Sequence, residues 1–322
     1  PDTHEPQLVG FLRDRLVWTV VDESVAEDLA VLQALDPGDL NLLGRDLADD
    51  VWLVAYDHDD GPVGYHSYDR RTKQATFLFV HRPELADHEL AEMVPFEVEA
   101  RDGLSLHGYI TFPPGVPRSG LPAVLNVHGG PWARDAWGFD PTTQWLANRG
   151  YACVQVNFRG STGYGKDFVN AGDKEWGAKM HTDLLDTVEL VVDRGWVDRE
   201  RIAIFGGSYG GYAALVGATF TPDVFACAVD IVGPSNLATL LASIPPYWAP
   251  LIAQFHTRMG DPDVDGDLLR ERSPLFRIDQ LSIPLLIAQG ANDPRVKQAE
   301  SEQIVALHDE KGIDHTYLLF ED

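Results

Sequence analysis

The stretch "RIAIFGGSYGGYAALVGA", Arg201–Ala218, decides the fold. Its first residues are an apolar, strand-like run. Ser208 then stands between two glycine pairs, and a small-residue run with helical character follows. Gly206, Ser208 and Gly210 form a G-x-S-x-G pattern, and the flanks predict strand, sharp turn, helix. Glycines on both sides remove Cβ atoms, so the turn can tighten and the helix can approach the sheet. The Ser208 hydroxyl is then presented at the carboxyl end of a strand, over a helix N-terminus that favours developing negative charge. The alternative is a glycine-rich helix start with an idle serine, and the flanking strand and helix argue against it.

Working outward, strands and helices alternate through the second part of the chain. "VPFEVEARDGLSLHGYITF" reads as a hairpin turning near Asp102–Gly103. "AVLNVH", "ACVQVNF", "RIAIFG", "FACAVDI", "PLLIAQG" and "HTYLLF" are continuous apolar runs, as expected of a parallel sheet covered on both faces. Between them lie helical stretches such as "HTDLLDTVELVVDRG" and "KQAESEQIVALHDEKG". This is α/β: a doubly wound sheet with an antiparallel start. Residues 1–88 differ. "RLVWTVV", "VWLVAYD", "VGYHSYD" and "ATFLFV" alternate at period two between Asp/Gly/Pro turns. They predict an antiparallel meander of one or two four-stranded units, too few to close a barrel or propeller alone.

Composition narrows the function. The chain has 322 residues, 44% of them hydrophobic, so a sizeable core is expected. Fifty acidic residues against 25 Lys and Arg give a net charge of −25, which argues against nucleic acid and anionic membrane surfaces as partners. No apolar run reaches a membrane-spanning length. The two cysteines, Cys153 and Cys227, sit in apolar strands outside any metal or redox spacing. Both are expected to be buried, reduced thiols, which points to the cytoplasm. The chain starts at Pro1 rather than Met, so an upstream signal segment stays open.

Two further stretches carry chemistry. "NVHGGPWA" follows a strand, where the backbone N–H of Gly130 and that of Tyr209, next after Ser208, are expected to donate to an oxyanion. "IAQGANDPRV" places Asp293 after a buried strand at the same sheet edge, where it is expected to orient an imidazole. "DPDVDGD", Asp261–Asp267, resembles a calcium loop, but its twelfth position is Arg272, with Glu271 one residue out of phase. It is read as a solvated acidic loop capping the next helix, and no metal is expected.

"HGGPWA", "NFRGSTGYGKDF", "GGSYGGYAAL" and "LLIAQGANDPRVKQAES" together resemble the prolyl oligopeptidase family of serine peptidases, in its acylaminoacyl-peptidase and dipeptidyl-peptidase-like branch. The resemblance covers about 93–322. It implies an α/β-hydrolase domain over 89–322 and the terminal part of a β-propeller over 1–88. It makes Ser208 the nucleophile, Asp293 the acid, and Gly130 and Tyr209 the oxyanion donors, with no cofactor. It implies short or N-acylated peptides as substrates, and self-association is open. By analogy of fold, the pocket is expected to use the segment from Ile231 to Met259, with Val232, Leu237, Leu240, Tyr247 and Trp248, together with Val296. The same site suits a carboxylesterase, and a non-catalytic binding module is the alternative from another class.

The base does not fall into place. In this fold it follows the last strand, here "TYLLF". His4, His58, His66, His81 and His88 belong to the meander, and His107, His181 and His256 fall outside the expected loop. His128 precedes the oxyanion donors, His308 lies on a helix, and His315 starts the last strand at its far end. None of the eleven histidines is expected to serve, which reads as a chain cut at both ends and inactive by itself.

Overall fold

The computed structural model describes residues 5–321. Three sheets are present: two strands, four strands and eight strands. The chain divides into two compact units. The first comprises residues 1–95, 111–115 and 136–149; the second comprises 96–110, 116–135 and 150–322.

In the first unit, Leu8–Leu12 and Leu16–Val20 form an antiparallel pair. Asp39–Arg45, Val51–Asp57, Gly64–Asp69 and Gln74–Val80 form an antiparallel meander in chain order. Period-two alternation turns Trp52, Val54 and Tyr56 to one face, where Tyr68 joins them against Leu29 and Leu32 of the helix Ala26–Leu35. Asp28 of that helix is fully buried and accepts from Tyr68, Arg70 and Lys73, so its charge is matched by cations.

The eight strands of the large sheet are β1 (Met93–Glu99), β2 (Ser105–Thr111), β3 (Leu121–Val127), β4 (Ala152–Asn157), β5 (Val197–Gly207), β6 (Cys227–Ile231), β7 (Leu285–Gly290) and β8 (Thr316–Phe320). Their spatial order is β8-β7-β6-β5-β3-β4-β2-β1. The pairs from β4 through β3, β5, β6 and β7 to β8 are all parallel. Every residue of β4 is buried, as a strand covered on both faces requires. The helix Lys179–Asp193 buries Met180, Leu184, Thr187, Val188 and Val191, an i, i+4, i+7, i+8, i+11 stripe. Parallel strands bring the loops after β3, β5, β6 and β7 to one edge, and the candidate residues lie there.

Cys153 is buried, whereas Cys227, the first residue of β6, is only half-buried; neither forms a disulfide. The expectation that both are buried therefore holds for Cys153 alone. The acidic loop also differs from its reading. Asp265 precedes the helix Gly266–Glu271, but its side chain makes no cap bond to it. Its carboxylate instead takes Lys174 Nζ (2.7 Å) and the Asp261 N–H (2.8 Å). The Oδ2 that takes both is turned back onto its own loop and Lys174, away from the first N–H groups of the helix.

Candidate active site

Ser208 occupies the turn between β5 and the helix Tyr209–Phe220, with φ 58° and ψ −117°. The first angle is left-handed, costly for a residue with a Cβ, and held by the surroundings. Ser208 N–H donates to Ile231 O at the end of β6 (2.8 Å), and Ser208 O accepts from Tyr212 N–H (3.0 Å). The pattern's outer glycines are dictated by contact. A Cβ on Gly210 would stand 2.0 Å from Val127 O, and one on Gly206 would stand 2.6 Å from the same oxygen. Gly207, by contrast, has only Ile231 O nearby, at 3.9 Å.

Tyr209 begins the helix, where the first N–H groups have no acceptor within the helix. Its ring is buried and held by Trp176 (4.6 Å, edge-on), Phe158 (5.2 Å) and Tyr212 (5.7 Å). That aromatic cluster fixes the backbone that carries the Tyr209 N–H. On the opposing loop, the site of an absent Gly129 Cβ lies 3.6 Å from Ser208 Cβ. The structure thus brings the loop of Gly130 against the turn of Ser208 and Tyr209.

His128 is occupied in fixing that loop. Its Nδ1 lies 2.8 Å from Gly129 O, and its Nε2 lies 2.9 Å from Ser161 Oγ. A carbonyl needs a donor, so the proton sits on Nδ1 and Nε2 accepts from the serine. The ring stacks on Phe158 at 4.5 Å and 14°. Burial pushes its pKa down to about 4, so it stays neutral near pH 7. A trans peptide points its C=O and N–H in opposite directions, so holding Gly129 O turns the Gly130 N–H away from the imidazole.

Asp293 lies on the loop after β7. Its Oδ1 accepts from the N–H groups of Arg295 (2.8 Å) and Val296 (2.9 Å). Its Oδ2 accepts nothing from the described residues. Only β6 stands between β7 and β5 in the sheet, so Asp293 and Ser208 share one sheet edge. They do not hydrogen-bond to each other. Among the described residues no histidine bonds to either of them. His4 lies outside the described residues. His107 stacks on Tyr164, His181 bonds Thr221 Oγ1, His256 approaches Asp261, and His308 is buried against His315.

A mostly apolar pocket opens beside Ser208, walled by Trp176, Leu240, Ile244, Trp248, Phe255 and Val296, with Arg295 as its cation. Val296 lines it, whereas Val232 and Leu237 do not. Leu237 is fully buried at the first position of the helix Leu237–Ala242, and Leu240 and Leu241 of the next turn reach the pocket instead. Val232 takes φ 51° and donates its N–H to Ala288 O on β7, which commits its backbone to the sheet. Sequence reasoning missed Trp176, whose only signal is an aromatic in "DKEWGAK". It also missed Asp230 on β6. That carboxyl is fully buried, accepts from Gly233 N–H (2.7 Å), and burial pushes its pKa up to about 8.

The mainly parallel sheet and its strand–serine–helix turn define an α/β-hydrolase. The chain belongs to the prolyl oligopeptidase family, whose model matches residues 137–322. It is 53% identical to dipeptidyl aminopeptidase BIII of Pseudoxanthomonas mexicana, over 98% of this chain and 47% of that one. A puromycin-hydrolyzing peptidase of Mycobacterium tuberculosis superposes with a TM-score of 0.76 at 29% identity, over 84% of this chain and 42% of that one. The acylaminoacyl peptidase of Pyrococcus horikoshii gives 0.76 at 25% identity, over 87% and 45%. The chain spans about half the length of the curated relatives it matches.

Proposed function

We propose that Ser208 is the nucleophile of a serine peptidase that cleaves short or N-acylated peptides through an acyl-enzyme. The observation that carries this reading is the strained Ser208 turn, pressed against the Gly129–Gly130 loop at the mouth of an apolar pocket. The hydroxyl attacks the acyl carbonyl. The N–H groups of Gly130 and Tyr209 stabilise the oxyanion. The amine leaves, and water then releases the acid. The pocket's apolar walls suit an apolar side chain next to the scissile bond. The names of the relatives support a peptide substrate.

Asp293 is proposed to orient the base through its open Oδ2. Since no described histidine touches Ser208 or Asp293, the 322-residue chain unaided is proposed to turn over peptides poorly. Residues 1–88 are proposed as the closing part of a β-propeller and 89–322 as the hydrolase domain; a four-stranded meander has the form of one blade.

A nitrophenyl acyl ester tests the nucleophile. Its leaving group needs no protonation, so Ser208 is acylated even without a base, and slow deacylation lets the adduct accumulate. Mass spectrometry should find one acyl group on Ser208 and none in Ser208→Ala. Acylation elsewhere rejects Ser208. With an aminoacyl nitroanilide the chain should be nearly silent until imidazole is added. Rapid unaided turnover would reject the account of the base.

A further inference from the structure

The segment Phe158–Ser161, the core of "NFRGSTGYG", touches the supports of both oxyanion donors without reaching Ser208. Phe158 stands between two rings: it stacks on His128 at 4.5 Å and meets Tyr209 at 5.2 Å. Ser161 Oγ meets His128 Nε2 at 2.9 Å, and Thr162 N–H donates to Ala133 O at 2.8 Å. One side of the segment therefore holds the loop of Gly130, and the other holds the ring beneath the Tyr209 N–H.

Arg159 is what holds the segment. It is 3% exposed, and four guanidinium N–H groups bond carboxylates. Nε and Nη2 bind the two oxygens of Asp183 (2.8 and 2.7 Å), while Nη1 and Nη2 bind those of Asp102 (2.8 and 2.9 Å). Its own backbone N–H also donates to Asp183 Oδ2, at 2.8 Å. Asp183 is fully buried on the helix Lys179–Asp193, and Asp102 sits in the β1–β2 turn with Lys179 at 3.4 Å. A planar fork gripped on both edges, with its main chain bound to the same carboxylate, fixes position as well as charge.

We propose that Arg159 is a positioning residue that sets the spacing of the two oxyanion donors, with Asp183 and Asp102 as its anchors. The inference rests on the reading of Ser208 as nucleophile. It predicts loss of affinity for a tetrahedral adduct with little change for a ground-state ligand.

The test compares a peptidyl boronic acid, which forms a tetrahedral adduct on a serine, with the matching peptidyl carboxylic acid, both by calorimetric titration. In Arg159→Met/Asp183→Asn both charges go, and the side-chain amide oxygen introduced at position 183 can still accept the backbone N–H. The boronic acid should weaken by about 10²-fold, of the order of one lost oxyanion donor, with the carboxylic acid within about twofold. Arg159→Lys keeps the charge without the fork and should fall between; it decides the matter if the double variant does not fold. Boronic acid affinity within twofold of the parent in the folded double variant, or unchanged in Arg159→Lys, overturns the proposal. Ser208→Ala should erase the preference for boron. If the preference persists there, the reading of Ser208 fails, whatever Arg159 does.

Discussion

Two nearby glycines should respond unequally to the same added methyl, one losing stability and the other scarcely changing. In Gly210→Ala the new Cβ would lie 2.0 Å from Val127 O, at least 1.0 Å inside the 3.0 Å that side chains respect. Helix propensity works the other way, because Gly210 lies within the helix Tyr209–Phe220 and alanine there gains about 1 kcal/mol. The clash should win. The obstacle is a backbone carbonyl of β3, which cannot rotate aside, and Gly206 and Gly211 are also tight against their own neighbours. Overpacking of this kind costs typically about 1–3 kcal/mol, and a backbone obstacle belongs at the upper end. A net loss of about 2 kcal/mol should lower the midpoint of thermal unfolding by roughly 4–8 °C. Gly207→Ala has its nearest obstacle at 3.9 Å and should stay within about 1 °C or 2 °C of the parent. Calorimetry on the three proteins suffices. A Gly210→Ala protein as stable as the parent, or Gly207→Ala as damaged as Gly210→Ala, would refute the claim that contact with β3 dictates the outer glycine.

In His128→Phe the stack on Phe158 survives but Gly129 O loses its donor; the rate of acylation by the nitrophenyl ester should fall about 10²–10³-fold with its half-saturating concentration nearly unchanged, and an effect on that concentration alone would argue against a role at the oxyanion. Burial holds His128, His181 and His308 at about 4, below the ordinary histidine value. The unfolded chain therefore takes up more protons, so stability present above about pH 6.5 should be lost as pH falls towards 4. Denaturation midpoints that stay flat across that range would contradict it. Asp230 runs the other way: its folded pKa is raised to about 8, so its contribution is full below the ordinary carboxyl value and is lost as pH rises through 8. Asp230→Asn should flatten the fall in stability between the ordinary carboxyl value and about pH 8, and an unchanged fall would show the carboxyl to be ionised already.

The parallel part of the fold was legible because its strands are short apolar runs between helical stretches, and each predicted run from "AVLNVH" to "HTYLLF" has its strand. The four period-two strands of the first unit were legible too. Leu8–Leu12 and Asp39–Arg45 were not read as strands. "LVGFL" lacks alternation, and "DLNLLGR" carries a bulge between Leu42 and Gly44 that breaks the period. The Ser208 turn could be read because its constraint is local: two glycines facing one carbonyl. The pocket could be read only in part: the segment from Ile231 to Met259 and Val296 stood out, Trp176 did not. Its walls come from Trp176, a short helix and an irregular stretch around Trp248, brought together only by tertiary packing. The part played by Arg159 depends on Asp102 and Asp183, 57 positions before it and 24 after it, and no spacing rule joins them.

The backbone of Ser208 has a consequence for any effort to make this protein more robust. At φ 58° and ψ −117°, glycine is the residue that fits without strain, and serine there costs on the order of 1–3 kcal/mol. With Ser208 as the proposed nucleophile, heat resistance and chemistry pull in opposite directions at one position. A laboratory selection that rewarded survival on heating, with no demand for turnover, should drift to Ser208→Gly and return a sturdier molecule without the proposed nucleophile. A selection scheme for improved variants has to score hydrolysis in every round.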